Sequence, residues 1–105
     1  MARLVWMNPP FGGRNALEPW LDKFFGHGNG IALTPDRTSA PWFRKALPLS
    51  DLVMFTPKIR FLRPDGSEGA SPSNGTALFA KGARGVDALI RARREGLGTV
   101  VLPMP

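Results

Sequence analysis

The chain has 105 residues and a mass of 11.4 kDa, one domain's worth of sequence, with 43% hydrophobic and 21% charged residues, a globular rather than a disordered composition. Fourteen Lys and Arg against eight Asp and Glu leave a net charge of +6, spread over both halves of the chain rather than gathered in a tail, which favours an anionic partner, with nucleic acid the first candidate. Cysteine is absent and His27 is the single histidine, which excludes a disulfide scaffold, thiolate metal sites and thiol nucleophiles and argues against histidine-cluster metal sites and Ser-His-Asp catalysis. No apolar run reaches the ~18 residues of a membrane span, and the start of the chain lacks a signal-peptide pattern. The expectation is a soluble cytoplasmic protein that needs no metal and no membrane.

Arg3–Met7 reads as a short buried strand, stopped by Asn8-Pro9-Pro10 because proline cannot continue a ladder. Phe11–Arg14 reads as a turn. Asn15 followed by Glu18 resembles a capping box, with Pro19 tolerated in the first turn and Trp20, Leu21, Phe24 and Phe25 on one helical face, closed by Gly26. Gly30–Leu33 predicts a second strand closed by Thr34-Pro35. Thr38 and Ser39 predict a cap and Pro41 the first turn of a short helix over Trp42–Leu47, ended by Pro48. Leu52–Leu62 predicts a long extended run bent or placed at an edge by Pro57. Arg63–Asn74 is a polar loop with the turn signature Pro64-Asp65-Gly66. Gly75–Ala80 predicts a strand that pairs with the preceding one as an antiparallel hairpin, Val86–Arg94 a basic helix, and Thr99–Leu102 a last strand. There is no internal repeat and no interdomain linker, so residues 1–105 form one domain. The order β-α-β-α-β-β-α-β predicts an α/β fold with a parallel part. In such a sheet ligands bind beyond the carboxyl ends of the strands, where Asn8–Phe11 and Thr34–Thr38 fall.

Asn8-Pro9-Pro10-Phe11 is the sharpest local feature. Two prolines fix the backbone and remove two donors, leaving the Asn8 side-chain oxygen and the Pro9 carbonyl as acceptors for the two hydrogens of one amino group. Phe11 would stack on the ring that carries that group. The same four residues also read as a plain strand stop with Phe11 in the core.

The run Val5–Phe11 resembles the catalytic loop of amino-methylating DNA methyltransferases, written there as Asn/Asp-Pro-Pro followed by an aromatic residue. Later segments are similar to the phage-type DNA adenine-N6 methyltransferase family in particular: a helix with an inward Trp (Trp20), Pro35-Asp36-Arg37-Thr38 leading to Trp42-Phe43, the strand Lys58-Ile59-Arg60-Phe61, and Ser71-Pro72 with Gly75-Thr76-Ala77-Leu78. Together these span about residues 4–81. The resemblance implies a partial Rossmann-like methyltransferase fold, a mixed sheet with a carboxyl-terminal antiparallel hairpin. It also implies transfer of a methyl group from S-adenosyl-L-methionine (AdoMet) to the N6 amine of adenine in DNA. Asn8, Pro9, Pro10 and Phe11 would be its catalytic residues, with Phe11 stacked on a base flipped out of the duplex at roughly a few kcal/mol. Arg14, Arg37, Thr38, Arg44 and Arg60 would contact DNA.

The family's cofactor loop, of Phe-x-Gly-x-Gly type after an earlier strand, has no counterpart here. Gly26-His27-Gly28-Asn29-Gly30 follows a helix and precedes a strand, the reverse of a strand-turn-helix cofactor loop, and Gly96-Leu97-Gly98 also follows a helix. The chain therefore reads as the catalytic-loop half of such an enzyme without its AdoMet-binding half, a truncated or split piece with a place for a complementing cofactor-binding polypeptide. Two other readings stand beside it: a non-catalytic basic remnant that binds DNA or protein, and a small structural phage protein. His27 reads as solvated, Trp42 and Phe43 as core, and Arg91, Arg93 and Arg94 as either phosphate contacts or a solvated face.

Overall fold

A computed structural model describes residues 3–9, 16–59, 64–67 and 75–104. Among the described residues five strands and three helices follow one another as β1 (Val5–Met7), α1 (Glu18–His27), β2 (Gly30–Pro35), α2 (Pro41–Ala46), β3 (Leu52–Thr56), β4 (Thr76–Lys81), α3 (Ala83–Arg94) and β5 (Thr99–Val101), with a short 3-10 turn at Leu47–Leu49 after α2. The strands form one mixed sheet in the order β1-β2-β4-β3-β5. β1 runs parallel to β2, with Met7 opposite Ala32. β4 lies antiparallel between β2 and β3, and β5 antiparallel on the far side of β3. The α/β class, the parallel part and the antiparallel β3–β4 hairpin agree with the expectation from sequence.

Alternation along the strands sorts the core into two layers. Ala32, Val53, Ala77 and Phe79 face α1 and α2, which contribute Leu17, Leu21, Phe24, Trp42, Phe43 and Ala46. Ile31, Leu33, Leu52, Met54, Leu78 and Ala80 face α3, which contributes Leu89. β2 and β4 are thus covered on both sides, the position in which a strand is apolar at nearly every residue. Phe43 is the hub of the first layer, edge-on to Phe79 at 5.1 Å and stacked with Phe55 at 6.2 Å. Such pairs add about 0.5–1.5 kcal/mol each beyond the area they bury. Lys45 of α2 reaches Glu18 and Asp22 of α1 at 3.0 and 3.2 Å. These carboxylates, Glu18 foremost through its hydrogen bond, raise the Lys45 pKa.

Several local expectations need correction. Trp20 does not point inward but is 45% exposed. Trp20 and Phe25 are the two flanks of one apolar stripe; α2 stands beside the Phe25 flank, where Phe25 and the α2 residues Trp42, Lys45 and Ala46 line one small cleft. Gly26 lies inside α1, and Gly28 is the residue that ends it, in the left-handed conformation (φ 82°) with its N–H donated to the Phe24 carbonyl, as a helix terminus with free carbonyls requires. α1 begins at Glu18 with Leu17 at its cap and no side-chain cap; Asn15 lies outside the described residues. Ala40, not Thr38 or Ser39, occupies the cap of α2. β2 continues through Thr34 to Pro35 because β4 pairs with it over that whole length. β3 ends at Thr56, before Pro57, so Lys58 and Ile59 are not in a strand, and Arg60 and Phe61 lie outside the described residues. Within the polar loop the Asp65 carboxylate accepts from the Ser67 hydroxyl and N–H, which lowers its pKa.

Candidate functional site at the carboxyl edge of the sheet

β1 and β2 are parallel, and β2 and β3 are both antiparallel to β4. The carboxyl ends of β1, β2 and β3 therefore open on one edge of the sheet, with the start of β4 between the last two. Asn8-Pro9 follow β1 there, Asp36–Ala40 follow β2, and Pro57–Ile59 follow β3. β1–β2 pairing stops at Met7 opposite Ala32. β2 runs three residues further, to Pro35, about 10 Å at ~3.3 Å per residue. Asn8 thus leaves the sheet at a step beside the projecting end of β2.

The floor of this edge is polar, buried and fully bonded. The Thr34 hydroxyl donates to the Pro35 carbonyl at 3.1 Å. The Thr56 hydroxyl donates to the Pro57 carbonyl at 2.9 Å and is hydrogen-bonded with the Thr76 hydroxyl. The Asp36 N–H donates to the Gly75 carbonyl at 3.1 Å, and the segment then folds back on itself through Thr38 N–H to the Asp36 carbonyl at 2.9 Å and Ala40 N–H to the Arg37 carbonyl at 3.0 Å. A Cβ on Gly75 would lie 2.5 Å from the Thr56 carbonyl oxygen and 2.8 Å from Asp36 Oδ2, so only glycine fits where β4 passes between these two loops. The floor is therefore close-packed and rigid, the kind of support a site on loops requires.

Asn8 is exposed and Pro9 buried. The Asn8 amide has no hydrogen-bond partner among the described residues. Arg37 and Thr38 are exposed on the neighbouring loop. Arg44 is exposed on α2, one turn past the Ala40 carbonyl to which its N–H donates at 3.0 Å. Pro10, Phe11, Arg14 and Arg60 lie outside the described residues. Reading the sequence as a series of local motifs missed Lys58 as a candidate contact. It is exposed at the end of β3 on this same edge, and the directional rule for strands joined through an antiparallel neighbour would have placed it there. His27 is bound elsewhere: its Nε2–H donates to the Arg3 carbonyl at 2.6 Å, tying the end of α1 to the segment before β1.

AdoMet finds no cradle among the described residues of this edge. A nucleotide-like cofactor needs a tight glycine turn from a strand into a helix, and β1 leads instead into Asn8-Pro9. The strand-to-helix turn that does carry glycines, Gly82–Gly85 between β4 and α3, lies on the opposite edge, and protein fills it: a Cβ on Gly82 would meet the Gly28 carbonyl oxygen at 3.0 Å and one on Gly85 the Gly30 carbonyl oxygen at 2.5 Å. Among the described residues no cluster of three or more His, Cys, Asp or Glu is placed to hold a metal ion, and no helix is long and apolar enough to cross a membrane. No described protein family, curated protein or solved structure matches this chain.

Proposed function

We propose that this chain takes part in AdoMet-dependent methylation of the N6 amine of adenine in DNA, as a site-specific adenine-N6 methyltransferase or as a truncated or split piece of one. The observation that supports this reading best is the step at the end of β1, where an exposed Asn8, its amide without a partner among the described residues, stands beside Pro9 and the Arg37-bearing loop. Asn8 Oδ1 and the Pro9 carbonyl would each accept one hydrogen of the amine, orienting its lone pair away from both acceptors. The base must leave the stack to arrive there, which costs roughly a few kcal/mol and is offset by stacking on an aromatic face, the role assigned to Phe11 at about 1–3 kcal/mol per base. Arg37, Lys58 and Arg44 supply positive charge for the flanking phosphates, which positions DNA without reading its sequence. AdoMet itself does not fit the described residues, so its binding falls to chain outside them or to a complementing cofactor-binding polypeptide.

A second reading keeps the charge and drops the chemistry: a basic DNA- or protein-binding remnant. It rests on the same exposed cations, which have no ion-pair partners among the described residues. One experiment separates the two. The chain is incubated with duplex DNA and labelled AdoMet, alone and with a polypeptide that carries a Phe-x-Gly-x-Gly cofactor half, and N6-methyladenine is measured. Methylation in the complemented sample, lost with Asn8→Ala and retained better by Phe11→Trp than by Phe11→Ala, supports the enzyme. DNA binding with no methylation under any complementation supports the remnant.

A further inference from the structure

The two faces of the sheet are unequally covered. α1 and α2 share one layer, whereas α3 is the only described helix on the other. On that second face β1 carries apolar side chains that stay exposed. Trp6 pairs in register with Ile31, a member of the α3-side layer, and is 60% exposed. Leu4, two residues earlier and so on the same face of the pleat, is 40% exposed. Between Leu4 and the flank of α3 runs an open groove of about 300 Å³, walled by Arg84, Asp87, Ala88 and Arg91. These four are spaced i, i+3, i+4, i+7, one stripe of the helix.

We infer that this groove receives an amphipathic helix of another polypeptide, lying beside α3 over β1 with its apolar face on Leu4 and Trp6 and acidic residues against Arg84 and Arg91. The layer on this side is already helical, and a second helix beside the first would sit 8–10 Å from it, as packed helices do. The charge follows from the wall. Arg84 and Arg91 stand two turns apart, about 10 Å at 1.5 Å per residue, and neither forms an ion pair among the described residues. A second copy of this chain is the wrong occupant, because like arginine walls and two net charges of +6 would be brought together. Nucleic acid is disfavoured by the aliphatic Leu4 and Ala88 and by the Asp87 carboxylate in the same wall. The inference is independent of any methylation activity.

The test uses the full chain with Trp20→Phe, which leaves Trp6 as the exposed indole, since Trp42 is buried. Two amphipathic peptides about 18 residues long, above the length at which isolated helices are marginal, serve as probes, one of leucine and glutamate and one of leucine and lysine, with a single-stranded oligonucleotide as a third. The glutamate peptide is expected to bind saturably and shift Trp6 emission to the blue. Arg84→Glu with Arg91→Glu should weaken that binding about tenfold and favour the lysine peptide, as charge complementarity requires. Trp6→Ser should weaken it about thirtyfold, followed with a labelled peptide, as loss of a central aromatic anchor does. Both arginines are on an exposed helix face, so their variants decide the matter even if Trp6→Ser misfolds. Equal binding of the two peptides, binding of neither, saturation of the Trp6 shift by the oligonucleotide alone, or self-association of the chain that shields Trp6 would each overturn the inference.

Discussion

Gly85 and Gly26 are both glycines within helices, yet replacing each by alanine should move stability in opposite directions. In an open helix interior alanine is favoured over glycine by about 1 kcal/mol, because glycine loses more backbone entropy on folding. Gly26 meets that condition, since a Cβ there would touch nothing within 4 Å. Gly26→Ala should stabilise the protein by about 0.5–1 kcal/mol. Gly85 is buried in the first turn of α3, where a Cβ would lie 2.5 Å from the Gly30 carbonyl oxygen, 3.3 Å from its carbon and 3.4 Å from Ala80 Cβ. A carbon and a carbonyl oxygen rest at about 3.3–3.6 Å, so α3 must retreat by most of an ångström from β2. A gap of that size forfeits roughly a quarter to a half of each dispersion contact across it, and overpacking of this kind costs about 1–3 kcal/mol. The propensity gain of at most ~1 kcal/mol does not offset it. Gly85→Ala should therefore lose about 1–2 kcal/mol net. For a domain near 100 residues each kcal/mol moves Tm by about 4–8 °C, so Tm should fall by about 4–15 °C for Gly85→Ala and rise by a few degrees for Gly26→Ala. Thermal and urea unfolding followed by circular dichroism reads both, with unchanged urea slopes expected. A Gly85→Ala protein as stable as the parent would refute the argument that α3 sits at closest approach to β2.

Three other outcomes follow from the same features. DNA binding should be weak, independent of sequence and steeply salt-dependent, because each phosphate contacted releases counterion; Arg37→Ala with Arg44→Ala should flatten the dependence of log affinity on log salt in a fluorescence titration, and a slope unchanged by these substitutions would exclude both residues. AdoMet and its demethylated product should bind the isolated chain poorly or not at all by calorimetry, and micromolar affinity would mean that a cofactor site exists which the glycine geometry does not reveal. The bridge from Lys45 to Glu18 and Asp22 raises the Lys45 pKa above its value of 10.5 in the unfolded chain, so its stabilisation is complete below that pH and lost as pH rises through the higher folded value; Lys45→Met should remove that part of the alkaline decline, and an identical profile in both proteins would show that the bridge contributes nothing.

The order of elements was readable from sequence because it depends on chemistry within a turn or two of chain. Pro9, just past the end of β1, stops that strand and Pro41 starts α2 whatever surrounds them, and alternation or helical spacing marks each apolar face, whereas the run expected through Pro57 to Leu62 ends at Thr56. The position of Asn8-Pro9 at a strand end was legible for the same reason, as was the neighbouring loop at Asp36–Thr38 once β1 and β2 are parallel. What packs against what was not readable this way. Trp20 and Phe25 are equivalent flanks of one helical stripe, and only the placement of α2 beside Phe25 leaves Trp20 half in solvent. Gly26 and Gly28 are equally plausible helix ends, and the left-handed turn falls at Gly28 because α1 continues through His27, whose imidazole bonds the Arg3 carbonyl. The strand order β1-β2-β4-β3-β5 is decided by contacts between residues tens of positions apart, made only when the whole sheet assembles. That order puts Lys58 on the edge that carries Asn8. It also makes β1 a rim strand among the described residues, which is why Leu4 and Trp6, in a run whose sequence reads as a buried strand, are exposed beside the arginines of α3.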